Sequence, residues 1–383
     1  MEANGGINHE LPPPLDNEYL EVAWGVEKSG EMHKPLWIAR PKPQDFDVKF
    51  EMLYCGICHS DVHNVKNEWG PCDFPCVAGH ELLGKVTEVG SKVTKFKVGD
   101  LCAVGCFVDA CLDCPNCKNG DEQYCLKGMT LTYKGDKTHG RVSGNQEIKT
   151  QGGYSAANTV HEDFVLKIPQ GMDLEKTAPI LCAGITMYSP LKHWGAAGDK
   201  RMTVGVVGIG GLGTMGIKLA KALGNDVLAI STSPAKEKMA KERGADFFVS
   251  SKDPEGMKAH AGKCDLILNT VSADHDINTY IPLLAKGGAT LVQLGGVTKP
   301  HTVHQFPLMM SRLSIAGSLI GGIKDTQEVI DLCFKHGIYP ECKVVEAKDI
   351  DDCWAQLQGS NADGLRYVID IKKSLENKDY LPK

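Results

Sequence analysis

Four cysteines, Cys111, Cys114, Cys117 and Cys125, stand at C-x2-C-x2-C-x7-C spacing. The two x2 steps bring three thiolates to one point from a single turn of chain, and a short loop returns the fourth. Four thiolates fill a tetrahedral Zn²⁺ and leave no open position, so the set predicts a structural zinc that holds a loop. An iron–sulfur cluster also uses x2 steps, but no proline follows the last cysteine here as it does in ferredoxin runs. Other reactive residues are weaker one by one. The stretch YCGICHSDVH holds Cys55, Cys58, His59, Ser60, Asp61 and His63; GHE follows with His80 and Glu81, and LCAGIT carries Cys182. Taken singly, Cys55 and Cys58 make a redox C-x-x-C, His80 a hydrogen-bonded structural histidine, and Cys182 a small buried hydrophobe.

A second constellation is Gly208-Ile209-Gly210-Gly211-Leu212-Gly213, which is G-x-G-x-x-G. It follows the β-branched run TVGVV and opens the helical pattern TMGIKLAKAL, the context that turns a weak hexapeptide into a dinucleotide site. The glycines allow a tight turn and close approach, and the helix N-terminus offers free N–H groups to a pyrophosphate. An NAD site carries an acid about 20 residues further on, for the ribose 2′-hydroxyl. Here the tip reads Ile230-Ser231-Thr232-Ser233-Pro234-Ala235-Lys236. With no carboxylate to repel it, a 2′-phosphate meets Ser231, Thr232 and Lys236, so the expected cofactor is NADP(H). The plainer reading of Lys236 is a solvated helix residue.

The elements that position these groups divide in two. From about Val48 to Ile168 short alternating runs (VKFEMLYCG, GKVTEVG, ANTVHEDFVLKI) predict half-buried antiparallel strands and a small barrel. From Met202 strands and amphipathic helices alternate: MTVGVVG, LGTMGIKLAKAL, DVLAIS, PAKEKMAKERG, DFFVS, then CDLILNT, ATLVQLG and SIAGSLI. That alternation predicts parallel βαβ units. Helices at TQEVIDLCFKHG and about Asp351–Leu357, and a last strand LRYVIDI, are expected to return to the first unit. The expected fold is α/β: a β-rich domain of residues 1–182 completed by 321–383, and a doubly wound Rossmann domain of 183–320 with a parallel sheet.

Composition narrows the function. The chain has 383 residues, formal net charge −6, 15 cysteines and 42 glycines. No basic excess exists to hold nucleic acid. No run reaches the roughly 18 apolar residues of a membrane span. The polar, proline-containing N-terminus reads as a frayed leader rather than a secretory signal. A reducing, cytoplasmic setting is expected, where clustered cysteines are metal ligands or catalytic groups.

Taken in order, Cys-His-Ser-Asp-x-x-His, Gly-His-Glu, the four-cysteine lobe, Cys-Ala-Gly and G-x-G-x-x-G resemble the zinc-containing medium-chain dehydrogenase/reductase superfamily across nearly the whole chain. VGCFVDACLDCPNCKNGDEQYC, GGYS at Gly152–Ser155, LCAGITMYSPLKHW and GSLIGG at Gly317–Gly322 look like its cinnamyl-alcohol-dehydrogenase-like branch. The resemblance implies a GroES-like first domain. It implies Cys58, His80 and Cys182 as ligands of a second, catalytic zinc, the Cys₂His set for which alcohol dehydrogenase is the standard example. Glu81 is then either an occasional ligand or an outer carboxylate. The implied reaction is reversible, zinc-dependent oxidation of primary alcohols to aldehydes with NADP(H), reduction favoured, over broad aromatic and aliphatic substrates. Ser60 resembles the first group of the family's proton relay, with the cofactor ribose and His63 as the next steps to solvent, His63 being otherwise a solvated loop histidine. His59 is implied near the pyrophosphate, and Thr186, Thr270, Gly295 and Ser318, Leu319 and Ile320 along the nicotinamide half. A strand such as SIAGSLI pairs across a two-fold axis in this family, which implies a homodimer.

Two stretches depart from the pattern. Plant lignin enzymes carry a tryptophan soon after the last structural cysteine, where this chain has Met129-Thr130-Leu131. The polar segment Lys134–Thr150 is longer than the family leads one to expect and reads as a surface insertion or a lid. Trp69 faces the pocket or is a core or rim tryptophan. The alternative activity is conjugate (1,4) or iminium reduction within the same superfamily.

Overall fold

The computed structural model describes residues 14–297, 299–359 and 364–383. Of the leader expected over residues 1–25, residues 1–13 lie outside them; the rest is not frayed, because Glu18–Gly25 forms a strand that buries Trp24 completely. Two sheets carry the fold. The larger orders its strands Cys342–Val345, Arg366–Asp370, Asp47–Ile57, Leu82–Val89, Leu101–Val104 and Leu166–Lys167, with Ala157–His161 also pairing Asp47–Ile57. Strand Arg366–Asp370 lies antiparallel to Asp47–Ile57, with Ile369 opposite Cys55, so the end of the chain returns to the first sheet. A hairpin of Glu18–Gly25 and Lys34–Pro41 stands beside it.

The second sheet has six strands, all parallel: Phe247–Ser250, Asp226–Ser231, Thr203–Val207, Leu266–Asn269, Thr290–Gln293 and Ser314–Gly317. In chain order that is 3-2-1-4-5-6, the doubly wound arrangement whose ligands sit beyond the strands' C-terminal ends. The central strands are apolar throughout, because helices cover both faces: Val204, Val206, Ile230, Leu266, Leu268 and Leu291 are fully buried. Helix Gly211–Ala222 turns Met215, Ile217, Leu219 and Ala220 inward and ends at Leu223, with Gly224 at φ +86° just beyond. Gly216 lets helix Ala183–His193 approach: a Cβ there would meet Met187 Cε at 2.0 Å.

Helix Ile323–His336 starts three residues before the expected TQEVIDLCFKHG. Its Val329, Ile330 and Cys333 share one core with Ala183, Ile185 and Met187, and with Leu83, Ala103 and Leu166 of the first sheet. One apolar mass thus joins the sheets. Two expected elements differ in extent. SIAGSLI is a strand only to Gly317; Ile320 takes φ +39° and the chain turns away. PAKEKMAKERG opens as a 3₁₀ turn, Pro234–Lys236, before helix Glu237–Glu242.

Candidate active site

Both donor groups converge. The ligand atoms of Cys111, Cys114, Cys117 and Cys125 lie within 4.8 Å of one another, and so do those of Cys58, His80, Glu81 and Cys182. In the first group Sγ–Sγ separations are 3.5 Å (Cys114–Cys117) and 3.9 Å (Cys111–Cys117). Sulfurs about 2.3 Å from a tetrahedral zinc stand about 3.8 Å apart, so the set fits the ion. Backbone N–H groups point at these sulfurs: Cys114 N to Cys111 Sγ, Cys111 N to Cys125 Sγ, and Leu126 N to Cys114 Sγ, at 3.4–3.5 Å. N–H bonds from Cys117 and Leu126 hold the Cys114 thiol down at about 6.

The second group draws on three distant parts of the chain. Cys58 follows strand Asp47–Ile57 and caps helix His59–Val65; His80 and Glu81 precede strand Leu82–Val89; Cys182 precedes helix Ala183–His193. Cys58 Sγ and Cys182 Sγ are 3.8 Å apart, again a zinc-like separation. Hydrogen bonding from Cys182 and, against burial, the Arg366 charge hold the Cys58 thiol well below its ordinary range. Two thiols, an imidazole and a carboxylate form a donor set that suits zinc.

Asp61 orders this group, although the sequence reading assigned it no role. Fully buried, it binds His80 Nδ1 at 2.9 Å and accepts from Cys58 N at 2.9 Å, Gly79 N at 3.2 Å and Tyr154 Oη at 2.9 Å. With Nδ1 engaged, Nε2 is the His80 atom left for a metal. Arg366 is a second residue the sequence reading missed. Its guanidinium pairs with Glu81 Oε1, while Glu81 Oε2 is buried without a partner among the described residues. Burial pushes the Glu81 carboxyl up to about 8, against the pull of Arg366. Gly56 makes room for this carboxyl, since a Cβ would fall 1.8 Å from Glu81 Oε2. An arginine inside the apolar strand RYVID was the available signal: a buried charge needs a partner.

Ser60 Oγ lies 3.6 Å from Cys58 Sγ. His63 is the middle of a stack, its ring 4.7 Å from His59 and 4.6 Å from Trp69, and its Nδ1 pairs with Glu68. Trp69 is a rim residue: it is 42 % exposed, and a Cβ on Gly296 would sit 2.9 Å from its Cζ2. It bridges the first domain and the end of a parallel strand.

On the other wall, Gly208, Ser231, Thr270, Gly295 and Ser318 each sit at or just beyond the C-terminal end of a parallel strand. Gly208 has φ +87°, and a Cβ on Gly213 would lie 1.8 Å from Gly208 O, so the turn requires both glycines. A Cβ on Gly210 would meet nothing within 4 Å; that open side faces no protein atom and suits a phosphate. Ile209 and Leu212 complete the turn. Lys236 Nζ donates to Ile209 O at 2.7 Å, and Ser231 Oγ accepts from Ser233 N at 3.2 Å, with Thr232 exposed beside them. The site therefore fits a dinucleotide. Thr270 Oγ1 donates to Val207 O, Leu319 N to Tyr124 Oη, and Thr186 lies one helical turn beyond Cys182. Cys55 is absent from the donor group; its thiol is buried against Gly79 and Gly153.

Residues 44–170 match the family model of the alcohol dehydrogenase GroES-like domain, and residues 211–335 that of the zinc-binding dehydrogenase. The chain is 47 % identical over 349 residues to NADP-dependent alcohol dehydrogenase C 1 of Mycolicibacterium smegmatis, covering 91 % of this chain and 97 % of that protein. It is 44 % identical to aldehyde reductase YahK of Escherichia coli, over 91 % and 97 %. The solved structure of a cinnamyl alcohol dehydrogenase from Helicobacter pylori complexed with NADP(H) superposes with a TM-score of 0.84 at 37 % identity, over 93 % of this chain and 99 % of that one. The donor groups, the glycine turn and these likenesses agree: the chain belongs to the zinc-containing medium-chain dehydrogenase/reductase superfamily, in its cinnamyl-alcohol-dehydrogenase-like branch, as an NADP(H)-linked alcohol dehydrogenase.

Proposed function

We propose that Cys58, His80 and Cys182 hold the catalytic zinc of this dehydrogenase, and that primary alcohols and aldehydes of broad aromatic and aliphatic type interconvert beside it, with reduction favoured. The observation that carries the reading is the convergence of Cys58, His80, Glu81 and Cys182, with Asp61 turning His80 Nε2 toward the other donors. When bound, zinc supplies a Lewis acid for the reacting oxygen and NADP(H) supplies or accepts the hydride. The chain's own residues do the rest. Ser60 receives the substrate hydroxyl proton at Oγ, and His63, whose Nδ1 is engaged by Glu68 and whose Nε2 is buried without a partner among the described residues, is the outer group of the relay. Arg366 keeps Glu81 drawn aside, so that Glu81 is a reserve donor rather than a permanent one. Gly208–Gly213 receive the pyrophosphate, Ser231, Thr232 and Lys236 the 2′-phosphate, and Thr186, Thr270, Gly295 and Ser318–Ile320 the nicotinamide half. Cys111, Cys114, Cys117 and Cys125 hold the structural zinc.

The two working units are 1–182 with 321–383, and 183–320. A homodimer through the edge strand Ser314–Gly317 is supported by the exposed Phe306, Met309 and Met310 on the helix that precedes it. A cytoplasmic setting is supported by 15 cysteines that are all unpaired. No helix among the described residues is long and apolar enough to cross a membrane. Conjugate or iminium reduction is not favoured, since the relatives are named for alcohol and aldehyde chemistry. An aldehyde panel with NADPH and NADH in parallel tests the reading. NADPH oxidation with aromatic and medium-chain aldehydes is expected, with Lys236→Ala raising KM for NADPH alone. An enal returned as saturated aldehyde, or no turnover by zinc-loaded protein, would overturn it.

A further inference from the structure

The segment 134–150 touches the rim of the site only through Lys134, whose Nζ donates to Gly70 O at 3.0 Å. Its ends are pinned by Lys134 N to Thr150 O at 2.9 Å and Thr150 N to Gly135 O at 3.0 Å. It folds back over the first hairpin, where Asn145 N donates to Glu18 Oε1 at 2.8 Å, and over strand Phe107–Asp109, where Arg141 pairs with Asp109 at 3.3 Å. Beneath it lies a cavity of about 40 Å³, lined by Arg40, Lys137, Thr132, Ser143 and Thr159 among others. That is room for about three water-sized groups, the bulk of a small oxyanion.

The charges around the cavity do not balance. Arg40 is only 4 % exposed. It donates to Gln151 O at 2.7 Å, Gly152 O at 2.6 Å and Ser155 Oγ at 2.7 Å; its Nε has no partner, and no carboxylate among the described residues bonds to it. Lys137 Nζ donates only to carbonyls, Ser143 O at 3.2 Å and Asn145 O at 3.0 Å. Burial draws its amine down to about 8. The other cations lining the cavity have their own acids: Arg141 has Asp109, Lys149 has Asp73 and Asp136, and His161 has Asp163. The one acid lining it, Glu18, accepts from Leu15 N and Asn145 N, and its single negative charge also acts on Lys137, leaving two cations against one anion. A buried guanidinium and a desolvated ammonium thus share a polar cavity with one carboxylate. Buried charge of this kind is costly unless compensated.

We propose that this cavity is a binding site for a small oxyanion, phosphate or a short carboxylate, held by Arg40 and Lys137 and roofed by residues 134–150. A guanidinium N–H beside an ammonium and hydroxyls is the donor set such anions take. The site lies outside the catalytic cleft and does not depend on the reading of the reaction.

The test uses the full chain, zinc-loaded and saturated with NADP⁺, so that the cofactor's own phosphate sites are filled. Sodium phosphate, sodium acetate and sodium chloride are titrated at matched ionic strength, by calorimetry and thermal melting. Saturable binding of phosphate or acetate, one per subunit, is expected, with chloride giving no saturable signal. Lys137→Gln should weaken it about tenfold, and Arg40→Gln should abolish it. Should Arg40→Gln fail to fold, the half-exposed Lys137 still decides. No saturable binding of either oxyanion, or equal binding by Lys137→Gln, overturns the proposal.

Discussion

The four-cysteine lobe and the cleft donors offer zinc the same kind of sulfur at similar separations, 3.5 and 3.9 Å in the lobe and 3.8 Å in the cleft, yet they are built in opposite ways. The lobe takes all four ligands from 15 consecutive residues, and backbone N–H groups of the same loop serve the sulfurs. Its fourth position is filled. The cleft group spans residues 58 to 182 and needs Asp61, Tyr154 and Arg366 to set its geometry. Its fourth donor, Glu81, is tied to an arginine. A site closed by its own loop supports structure. A site assembled by the whole fold, with one donor held back as proposed, would leave a coordination position for substrate.

The sharpest way to break that contrast is to remove one thiol from each. Cys182→Ser should cost several kcal/mol of charge stabilisation, about a thousandfold in kcat, with one of two zincs lost and Tm nearly unchanged. Cys114→Ser should do the reverse: one zinc lost, Tm lower by roughly 5–10 °C, and kcat per folded molecule within about threefold. Zinc counting, melting and active-site titration on the two variants read all three quantities. Equal loss of kcat in both would dissolve the distinction. Next in size is Asp61→Asn, which keeps the shape of the side chain but removes the carboxylate at His80 Nδ1. It should cost about 10–100-fold in activity or zinc affinity at the cleft and leave the lobe's zinc in place.

The same contrast explains what was legible in the sequence. The convergence of Cys111 to Cys125 could be read without a fold because all four thiols are local. The turn Gly208–Gly213 could be read because a strand and a helix flank it within a few residues. Cys58, His80 and Cys182 had no such frame and became a set only through resemblance. Asp61 was in view within CHSD, but its bond to His80 depends on where residue 80 lands, and no spacing states that. Arg366 is further removed still: it meets Glu81 because the chain's end crosses back to the first sheet beside Asp47–Ile57. Arg40 and Lys137 are brought together by the fold of residues 134–150, which composition marked only as polar. Contacts distant in sequence are the ones a single chain does not display.

The smallest effect expected concerns the outer edge of the cleft. His63 stacks between His59 and Trp69, and its Nδ1 is taken by Glu68. If it only passes protons onward from Ser60, water can replace it in part. His63→Gln should then lower kcat about five- to tenfold, below the roughly 10²-fold of a group that transfers the proton directly. The deficit should shrink in concentrated imidazole buffer, while zinc content and Tm stay those of the parent. Ser60→Ala should cost more than His63→Gln and gain nothing from buffer, because Ser60 sits beside the metal donors, where the bound substrate itself occupies the space a buffer molecule would need. A His63→Gln defect that buffer does not relieve would make the histidine a packing residue of the stack, and would place the whole of the cleft's acid–base work on Ser60.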